Sequence, residues 1–332
     1  MKSYINNEQQ IIKNFFVPIS NNRDSLCLSN DGAFIKNFKN SMVISSDMMI
    51  QDIHFKKKDI PELLARKLLR VNLSDLAAMG AEPYGYILNV GIPSLNHKKW
   101  LKSFCKGLLL EQKKFRIKLL GGDLSASQKI FLSITIIGSS ENYFHKIFPK
   151  KKNSKIFVSG TIGDSFLGFQ LKNNPNFRKI KNKLDEKSLN YLYQSHAIPE
   201  PRIKLSKKLK DYCCYCTDIS DGLVSEINKM RSKFKLGCEI FLQNIPLSTP
   251  VKKILKISKQ DLNIWENILC GGEDYELIFS ICKDKEKKFL SELDLKKNKI
   301  SEIGFFDKTN QLKIFDNELN LVKMKKNGFS HF

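Results

Sequence analysis

The stretch Val71-Asn-Leu-Ser-Asp-Leu-Ala-Ala-Met-Gly80 is the second half of an amphipathic pattern that begins near Ile60. Apolar residues recur along one side of this pattern, Pro61 stands at its start and Gly80 at its end, so the pattern predicts a helix over 60–79. A strand-like run follows almost at once, at 84–91. Helices that alternate with apolar strands are typical of α/β domains.

Outward from this helix, the same alternation extends over the whole chain. The first half predicts strands at 41–46, 84–91, 117–120 and 130–137, and a second helix at 98–114. A lysine-rich, proline-containing linker is expected at 148–155. Beyond it, the sequence predicts a strand and a glycine turn at 155–165, helices at 189–195 and 201–211, and strands at 213–216, 238–242 and 276–281. We therefore expect two α/β domains, 1–150 and 151–332.

The composition agrees with this organisation. The 332 residues are 42% hydrophobic and 27% charged, as in a globular protein of two domains with about 150 residues each. No apolar run approaches the ~18–20 residues of a bilayer span. The first ten residues, from Met1 to Gln10, contain neither a basic segment nor an apolar stretch, so no secretory signal is expected. These observations predict a cytoplasmic protein with no membrane partner.

The formal net charge is +22, from 56 Lys+Arg against 34 Asp+Glu, which raises the question of nucleic-acid binding. The basic clusters are short, Lys56-Lys57-Lys58 and Lys150-Lys151-Lys152, and the other lysines are scattered. No basic stretch is interleaved with aromatic residues. We interpret the excess as solvated lysines that attract anionic ligands, and expect no nucleic-acid partner.

The eight cysteines include a single Cys-x-x-Cys, in Cys213-Cys214-Tyr215-Cys216. No second pair follows at the spacing of a zinc ribbon. The segment is apolar and ends just before an acidic turn. It therefore predicts a buried strand with free thiols rather than a metal site.

The acidic side chains of this basic chain have an unusual distribution. They adjoin small residues and buried-looking segments, at positions where strand ends and turns would present them to a cleft: Asp31, Asp47, Asp75, Asp123, Asp218, Asp221, Glu273 and Asp274. Each one alone is also explained by a turn, a helix N-cap or an exposed position. Together in one cleft, carboxylates would raise one another's pKa unless cations lay between them.

Hard oxygen ligands favour Mg²⁺ over zinc, and Mg²⁺ in such sites usually bridges substrate phosphates. The hydroxyls of Ser45 and Ser46, next to Asp47, extend this donor set. The sequence has no P-loop, G-x-G-x-x-G, kinase catalytic loop, G-x-S-x-G or H-E-x-x-H motif. It predicts metal-assisted phosphoryl chemistry, with a nucleotide held through Mg²⁺ and the backbone of Gly121-Gly122-Asp123.

A set of segments, in order along nearly the whole chain, resembles the thiamine-monophosphate kinase family of the aminoimidazole ribonucleotide synthetase-like superfamily. The segments are Ser45-Ser-Asp47 with His54-Phe55, 71–83, Gly121-Gly-Asp123, 158–165, Pro199-Glu-Pro-Arg202, Asp218-Ile-Ser-Asp-Gly-Leu223, Gly271-Gly-Glu-Asp-Tyr-Glu-Leu277 and the ending Gly328-Phe-Ser-His-Phe332. One such segment alone is a weak signal, whereas their combination is specific. The resemblance implies an N-terminal α/β domain whose mixed sheet pairs with its twin in a homodimer, and a C-terminal α/β domain that covers the cleft.

The resemblance also implies an activity: ATP-dependent phosphorylation of thiamine monophosphate to thiamine diphosphate, with several Mg²⁺ ions and no covalent phosphoenzyme. The implied metal ligands are Asp31, Ser45, Ser46, Asp47, Asp75, Asp123, Asp218 and Asp221. Gly122, Asp123 and Ser220 would contact ATP. His54 and Glu273 would contact the thiamine phosphate, although His54 by its position alone is typical of a structural histidine.

Several positions depart from the family pattern. The family's Asp-Asp near the start is Asn30-Asp31 here, and Ser46 replaces a threonine while keeping its hydroxyl. Lys146 lies where an ATP-contacting arginine is expected, and would replace it only as a point charge. An aromatic substrate contact expected near the C-terminus falls at about Lys326.

The implied reaction agrees with these residue types. The acceptor is a phosphate monoester whose second pKa, about 6, leaves it largely ionised at neutral pH, so no dedicated general base is expected. The reaction requires two anionic phosphates to be brought in line, which aspartate-bound Mg²⁺ allows. Glu273 would face the positively charged thiazolium ring.

Two alternatives stay open. The first is another ATP-dependent enzyme of the same superfamily with a different acceptor; selenophosphate synthetases usually carry a Cys/Sec-Gly-Cys-Lys element, which Cys27-Leu28-Ser29 does not provide. The second is a non-catalytic, basic polyanion-binding protein. It predicts nucleic-acid binding that falls steeply with salt, and no nucleotide turnover.

Overall fold

A computed structural model describes residues 10–28, 32–35, 38, 40–93, 97–141, 154–281, 284–326 and 328. The chain divides into two compact units. The first comprises Met1–Leu76 and Ala81–Asn142, and the second comprises Ala77–Gly80 and Tyr143–Phe332. Most of the expected linker lies outside the described residues, so the domain boundary near residue 150 stays a prediction.

The first unit is built on a mixed sheet. Its described strands are β1 (Ser41–Ile50), β2 (Glu82–Ile92), β3 (Lys118–Ala126) and β4 (Phe131–Ser140). They lie in the order β1-β4-β2-β3, with β4 antiparallel to β1 and β2, and β3 parallel to β2. Helix α1 (Pro61–Ala78) joins β1 to β2, and helix α2 (His97–Phe115) is the crossover between the parallel strands β2 and β3.

Among the described residues, helices bury one face of this sheet and the other face is largely exposed. Along β4, Leu132, Ile134 and Ile136 are fully buried, whereas the alternate residues of the strand's first half are partly exposed. Leucines of α1 and α2, among them Leu68 and Leu101, are fully buried as well. This alternation is the period of two expected of a sheet with helices on one side only.

The second unit contains a larger sheet with helices around it. Its described strands are β5 (Lys155–Ser159), β6 (Cys213–Asp218), β7 (Gly237–Phe241), β8 (Leu277–Ile281), β9 (Ile300–Asp307) and β10 (Leu312–Phe315), in the order β10-β7-β9-β5-β8-β6. Its described helices are α3 (Asp164–Asn173), α4 (Arg178–Lys181), α5 (Glu186–Ala197), α6 (Ile203–Leu209), α7 (Leu223–Phe234), α8 (Thr249–Ile257), α9 (Leu262–Cys270) and α10 (Glu286–Glu292).

The central strand β5 is buried on both sides. Ile156 and Val158 belong to one apolar cluster, with Ile254 and Ile268, whereas Phe157 belongs to another, with Phe279 and Phe289. A strand that is covered on both faces has an almost continuous apolar sequence, as β5 and β8 do. Asp164 follows β5, and Glu273, Asp274 and Glu276 precede β8.

The mixed α/β architecture confirms the fold class predicted from the sequence. The described cysteines, including Cys213, Cys214 and Cys216 of β6, are free, and these three are buried, as expected. Among the helices of the described residues, none combines the length and apolar character that a membrane span requires.

Two acidic residues lie elsewhere than the sequence indicated. Asp47 and Asp123 are inside β1 and β3, not at strand ends, because both strands continue beyond their predicted limits. The glycine pair before Asp123 resembles a turn, yet β3 stays paired with β2 there. A Cβ atom at Gly122 would lie 1.8 Å from the carbonyl oxygen of Leu88, so glycine permits this close approach of the two strands.

Candidate functional site

Strand β1 and helix α1 bring three predicted site residues into one corner of the first unit. The Oγ atom of Ser45 donates a hydrogen bond to Oδ2 of Asp75 over 2.5 Å. The backbone N–H of Asp47 donates to Oδ1 of Asn72, 3.1 Å away. Ser45 and Asp47 alternate onto the same face of β1, so both face α1 together with Asp75. Hard oxygen donors, the Ser45 hydroxyl and the Asp75 carboxylate, therefore lie together in this corner.

Asn72 is a residue that the sequence analysis missed. Its side chain is fully buried and also donates from Nδ2 to the carbonyl oxygen of Leu68, 2.9 Å away. Asn72 precedes Asp75 by three positions on α1, which places the two side chains on the same helix face. Asn72 therefore fixes β1 at Asp47 against the helix that carries Asp75.

Ser46 faces away from this corner. Its hydroxyl donates to the carbonyl oxygen of Ile134, 3.0 Å away, and lies 3.1 Å from Oγ1 of Thr135. Ser46 is exposed, because strand alternation places it on the open face of the sheet. The structure thus brings Ser45, but not Ser46, into contact with Asp75.

Gly122 and Asp123 line a cavity of about 450 Å³ in the first unit. The cavity is also lined by Phe16, Leu28 and Asn89, and Asn89 is the register partner of Asp123. Its volume lies in the range of small-molecule sites, roughly 300–1,000 Å³. Asp31 lies outside the described residues.

His54 lies in the turn that follows β1. Its Nδ1 atom accepts a hydrogen bond from the backbone N–H of Ile50, 3.0 Å away. An acceptor Nδ1 assigns the ring proton of a neutral imidazole to Nε2. His54 is half-buried, and its Nε2–H is a group of the kind that donates to phosphate oxygens.

In the second unit, backbone hydrogen bonds pair the loop after β6 with the loop before β8. The N–H of Glu273 donates to the oxygen of Ser220, 2.7 Å away, and that of Tyr275 donates to the oxygen of Ile219, 2.9 Å away. The N–H of Ile219 donates back to the oxygen of Glu276 over 2.8 Å. The pairing places Asp218, Ser220 and Asp221 beside Glu273.

Glycine is required in this pairing. At Gly272, where φ is 79°, a Cβ atom would lie 2.3 Å from the carbonyl oxygen of Ser220. Glu273 itself has a φ of 60°, a conformation that is uncommon for residues other than glycine. Such backbone persists only where surrounding contacts fix it, and it is found most often at functional sites.

Asp221 is held by a lysine in this structure. Lys229 Nζ lies 2.8 Å from Oδ2 of Asp221 and 2.7 Å from Oε1 of Glu226. Burial raises the pKa of Glu226. Burial also disfavours the charged form of Lys229, but the two carboxylates outweigh it, so the pKa of Lys229 lies above its usual value. The position next to Asp221 therefore accommodates a cation. Asp218, at the end of β6, is buried.

Two further acids lie next to the paired loops, the half-buried Asp274 of the loop before β8 and the buried Asp164. Asp274 accepts hydrogen bonds from the N–H groups of Gly163, at 2.9 Å, and Ser165, at 3.3 Å, where α3 begins. Asp164 accepts from Thr161, Tyr191 and Ser248. Burial raises the pKa of both Asp274 and Asp164, because both lose the hydration of the charged form.

Arg202 and Glu276 form an ion pair beside these acids. Arg202 Nε donates to Oε2 of Glu276 over 2.5 Å, and Nη2 donates to Oε1. Ser159 Oγ also donates to Oε2 of Glu276, 2.5 Å away. Both partners belong to segments that carry the family resemblance, but nothing in the sequence indicated that they pair.

The described residues predicted for the site thus fall into two groups, one in each unit. The group in the first unit is Ser45, Asp47, Asp75, His54, Gly122 and Asp123, together with Ser46, which faces the other way. The group in the second unit is Asp218, Ser220, Asp221 and Glu273. Among the side chains that the structure describes, no group of three or more His, Cys, Asp or Glu is arranged to hold a metal ion. The expectation that acids of both halves share metal ions stays a prediction.

Similarity to known proteins extends along nearly the whole chain. Residues 29–140 match the family model "AIR synthase related protein, N-terminal domain". The chain is 34% identical, over 331 residues, to the thiamine-monophosphate kinase of Buchnera aphidicola subsp. Schizaphis graminum, covering 98% of this chain and 99% of that protein.

Solved structures of thiamine-monophosphate kinases are also similar to this protein. The crystal structure of thiamine monophosphate kinase from Aquifex aeolicus has a TM-score of 0.72 at 26% identity, over 87% of this chain and 91% of that chain. A structure of AaThiL complexed with AMPPCP and TMP has a TM-score of 0.75 at 25% identity, over 98% of this chain and 95% of that chain. Because the sequence likeness extends over nearly the full length of both proteins, this chain belongs to the thiamine-monophosphate kinase family.

Proposed function

We propose that this protein transfers the γ-phosphoryl group of ATP to thiamine monophosphate, giving thiamine diphosphate and ADP. The observation that carries the proposal is the 34% identity to a thiamine-monophosphate kinase over 98% of the chain. The similar AaThiL structure is complexed with AMPPCP, an analogue of ATP, and with TMP. The acceptor phosphate is ionised at neutral pH, so the transfer needs positioning and charge neutralisation rather than a general base.

Mg²⁺ fits the residues of the first-unit corner. Ser45 Oγ and Asp75 Oδ2 are hard oxygens 2.5 Å apart, of the kind that Mg²⁺ prefers. Asp47, on the same face of β1 as Ser45, would supply a further oxygen. Ser46, on the open face of the sheet, Asp123, on β3, and Asp31 are proposed as metal ligands on the family resemblance alone. When bound, Mg²⁺ supplies the positive charge that allows two anionic phosphates to approach. Ser45 and Asp75 hold each other in place before any ion arrives.

The acidic loop of the second unit is proposed to bind Mg²⁺ as well. Asp218 and Asp221 would be its ligands, and Ser220, between them, would contact ATP. The Lys229 ammonium, 2.8 Å from Asp221, supports this assignment because it shows that the position accommodates positive charge. Lys229 is also paired with Glu226, which would keep it bound when Asp221 turns to a metal ion.

The nucleotide is proposed to bind along β3. Gly122 and Asp123 border the cavity of about 450 Å³, whose wall includes Phe16 and Leu28. Apolar side chains of this kind suit a nucleobase, and the exposed backbone at Gly122 suits phosphate oxygens. For the acceptor, the Nε2–H of His54 would donate to the phosphate of thiamine monophosphate, and Glu273 would face its thiazolium ring.

An acceptor series tests this function. ATP and Mg²⁺ are incubated with the purified protein and with thiamine monophosphate, thiamine or no acceptor, and ADP and thiamine diphosphate are measured by chromatography. We expect equal amounts of both products with thiamine monophosphate only, because thiamine's hydroxyl is not ionised and would need a base. ADP release with a different acceptor would favour another enzyme of the superfamily, and no turnover with salt-sensitive nucleic-acid binding would favour a polyanion-binding protein.

We also propose that the first unit forms a homodimer through the open face of its sheet. Met42, Ile44 and Met48 of β1 are 47%, 59% and 52% exposed, and they alternate onto one face of the strand. Ile87 of β2 is on the same face, because Ile87 and Ser46 are both register partners of Thr135. Exposed apolar side chains grouped on one face, here around the polar pair Ser46 and Thr135, are typical of protein interfaces, and a second copy presents the same face. A cytoplasmic location stays a prediction from the sequence.

Replacing Ile44 with threonine should weaken this dimer. Each copy loses the two carbons of an ethyl group at the interface, worth about 0.8 kcal/mol each, and the effect counts twice by symmetry. The dissociation constant should therefore rise about 200-fold. Sedimentation equilibrium measures it. Ile60→Thr is the matched control, because Ile60 is 57% exposed just before α1 and off the sheet face. A wild-type protein that stays monomeric at every concentration would contradict the proposal.

A further inference from the structure

His196, near the end of α5, contacts the carboxylate of Glu273. Its Nδ1 atom lies 3.0 Å from Glu273 Oε2. The side chain of His196 is 16% exposed and that of Glu273 is 31% exposed, so Glu273 keeps an open edge. A proton on Nδ1 donates to Glu273 whether the ring is neutral or positively charged, so this contact does not depend on the charge of the histidine.

The ring of His196 is held by α3 from two sides. Its Nδ1 atom also lies 3.3 Å from Ser165 Oγ, and its ring centroid lies 5.3 Å from that of Phe169. The backbone N–H of Ser165 donates to Asp274. The consecutive residues Glu273 and Asp274 are thus fixed to the same turn of α3, Asp274 directly and Glu273 through His196.

The backbone of Glu273 is already fixed by its hydrogen bond to Ser220 and by its φ of 60°. What remains variable is the orientation of the carboxylate, because a glutamate side chain has three rotatable bonds. Ordering a side chain only when a ligand arrives weakens binding, whereas a side chain that is held beforehand does not incur this loss. The hydrogen bond from His196 to the carboxylate itself reduces this freedom.

We propose that His196 is a positioning residue, which holds the Glu273 carboxylate in the orientation that receives the cationic heterocycle of the acceptor. The inference rests on the proposed function, because it is there that Glu273 faces the thiazolium ring. His196 does not touch the phosphates or the metal ions in this assignment. Its removal therefore affects recognition of the organic part of the acceptor and leaves ATP binding and the transfer step alone.

Steady-state kinetics of His196 variants test the proposal. His196→Ala should raise the KM for thiamine monophosphate about five- to tenfold, with kcat and the KM for ATP changed less than about twofold. His196→Asn keeps an N–H donor and should recover most of the affinity. His196→Phe keeps the ring against Phe169 but has no donor, and should behave like His196→Ala. These two variants also serve if the alanine variant fails to fold.

A double-mutant cycle with Glu273→Ala separates positioning from a general structural role. If His196 acts through Glu273, adding His196→Ala to Glu273→Ala should give little further increase in KM for thiamine monophosphate. Fully multiplicative effects, equal changes in both KM values, or a His196→Phe variant with wild-type KM would each overturn the inference. A wild-type protein that makes no thiamine diphosphate would overturn the proposed function itself, and the inference with it.

Discussion

Asp75→Asn should lower kcat/KM for thiamine monophosphate at least about 100-fold while the fold is kept, because a neutral amide is a poor ligand for Mg²⁺ and metal-bound charge supplies several kcal/mol. Asparagine has nearly the shape of aspartate, and its Oδ1 can still accept the hydrogen bond that Ser45 makes at 2.5 Å. Steady-state assays at saturating ATP, with thermal unfolding of the same preparation, measure both effects. Thermal stability should change little.

Two further variants, a second ligand substitution and a control, test the same prediction. Asp221→Asn should lose activity in the same way, because Asp221 is the corresponding proposed ligand in the second unit. Asp59→Asn is the matched control: it removes one carboxylate of the first unit in the turn before α1, where Asp59 accepts a backbone hydrogen bond from Lys56 at 2.8 Å. Its activity should equal that of the wild type. If Asp75→Asn or Asp221→Asn kept full turnover, that residue would be an ordinary polar residue and not a metal ligand.

Arg202→Ala should destabilise the second unit by about 3 kcal/mol, near the lower end of the usual cost of removing one partner of a buried ion pair, because Arg202 itself is 25% exposed. Glu276 is only 6% exposed, so its carboxylate cannot recover full hydration when the guanidinium is lost. The neighbouring acids, Asp164 and Asp274, add repulsion in the same region. For a unit of this size the thermal midpoint should fall by about 2–4 °C per kcal/mol, which differential scanning calorimetry resolves.

The combination Arg202→Ala with Glu276→Gln separates lost packing from uncompensated charge. The neutral amide removes the buried charge, so the double variant should be more stable than Arg202→Ala alone. Arg178→Ala is the matched control, since Arg178 is exposed on the short helix α4. A midpoint for Arg202→Ala equal to that of Arg178→Ala would show that the pair contributes little to stability.

Local signals in the sequence were sufficient for the elements that begin and end clearly. Helix α1 was predicted almost to its limits, because Pro61 fits the first helical turn and Gly80, with a φ of 70°, accommodates the reversal after it. Strand β6 was predicted because a short apolar run that ends at acidic residues fits a buried strand. The fold class followed from the alternation of such elements and from the family resemblance.

What the sequence did not indicate depends on contacts between distant residues. Strand β3 continues through its glycines because β2 lies beside it, and no local pattern shows this. The buried side chain of Asn72 and the pair of His196 with Glu273 join residues that are far apart in the chain. For Asn72, the one local signal was that it is a polar residue on the apolar side of α1. The assignments of metal ligands stay predictions, because they depend on ions and substrates.

Transfer of label from ATP tests the proposed reaction most directly. The purified protein is mixed with Mg²⁺, thiamine monophosphate and ATP labelled with ³²P in its γ-phosphate, and small molecules are then separated from protein. We expect the label in thiamine diphosphate, in an amount equal to the ADP formed, and none bound to the protein, since no residue here is expected to carry a covalent phosphate. Label that appears only in inorganic phosphate or on the protein, with no labelled thiamine diphosphate, would contradict direct transfer between the two substrates.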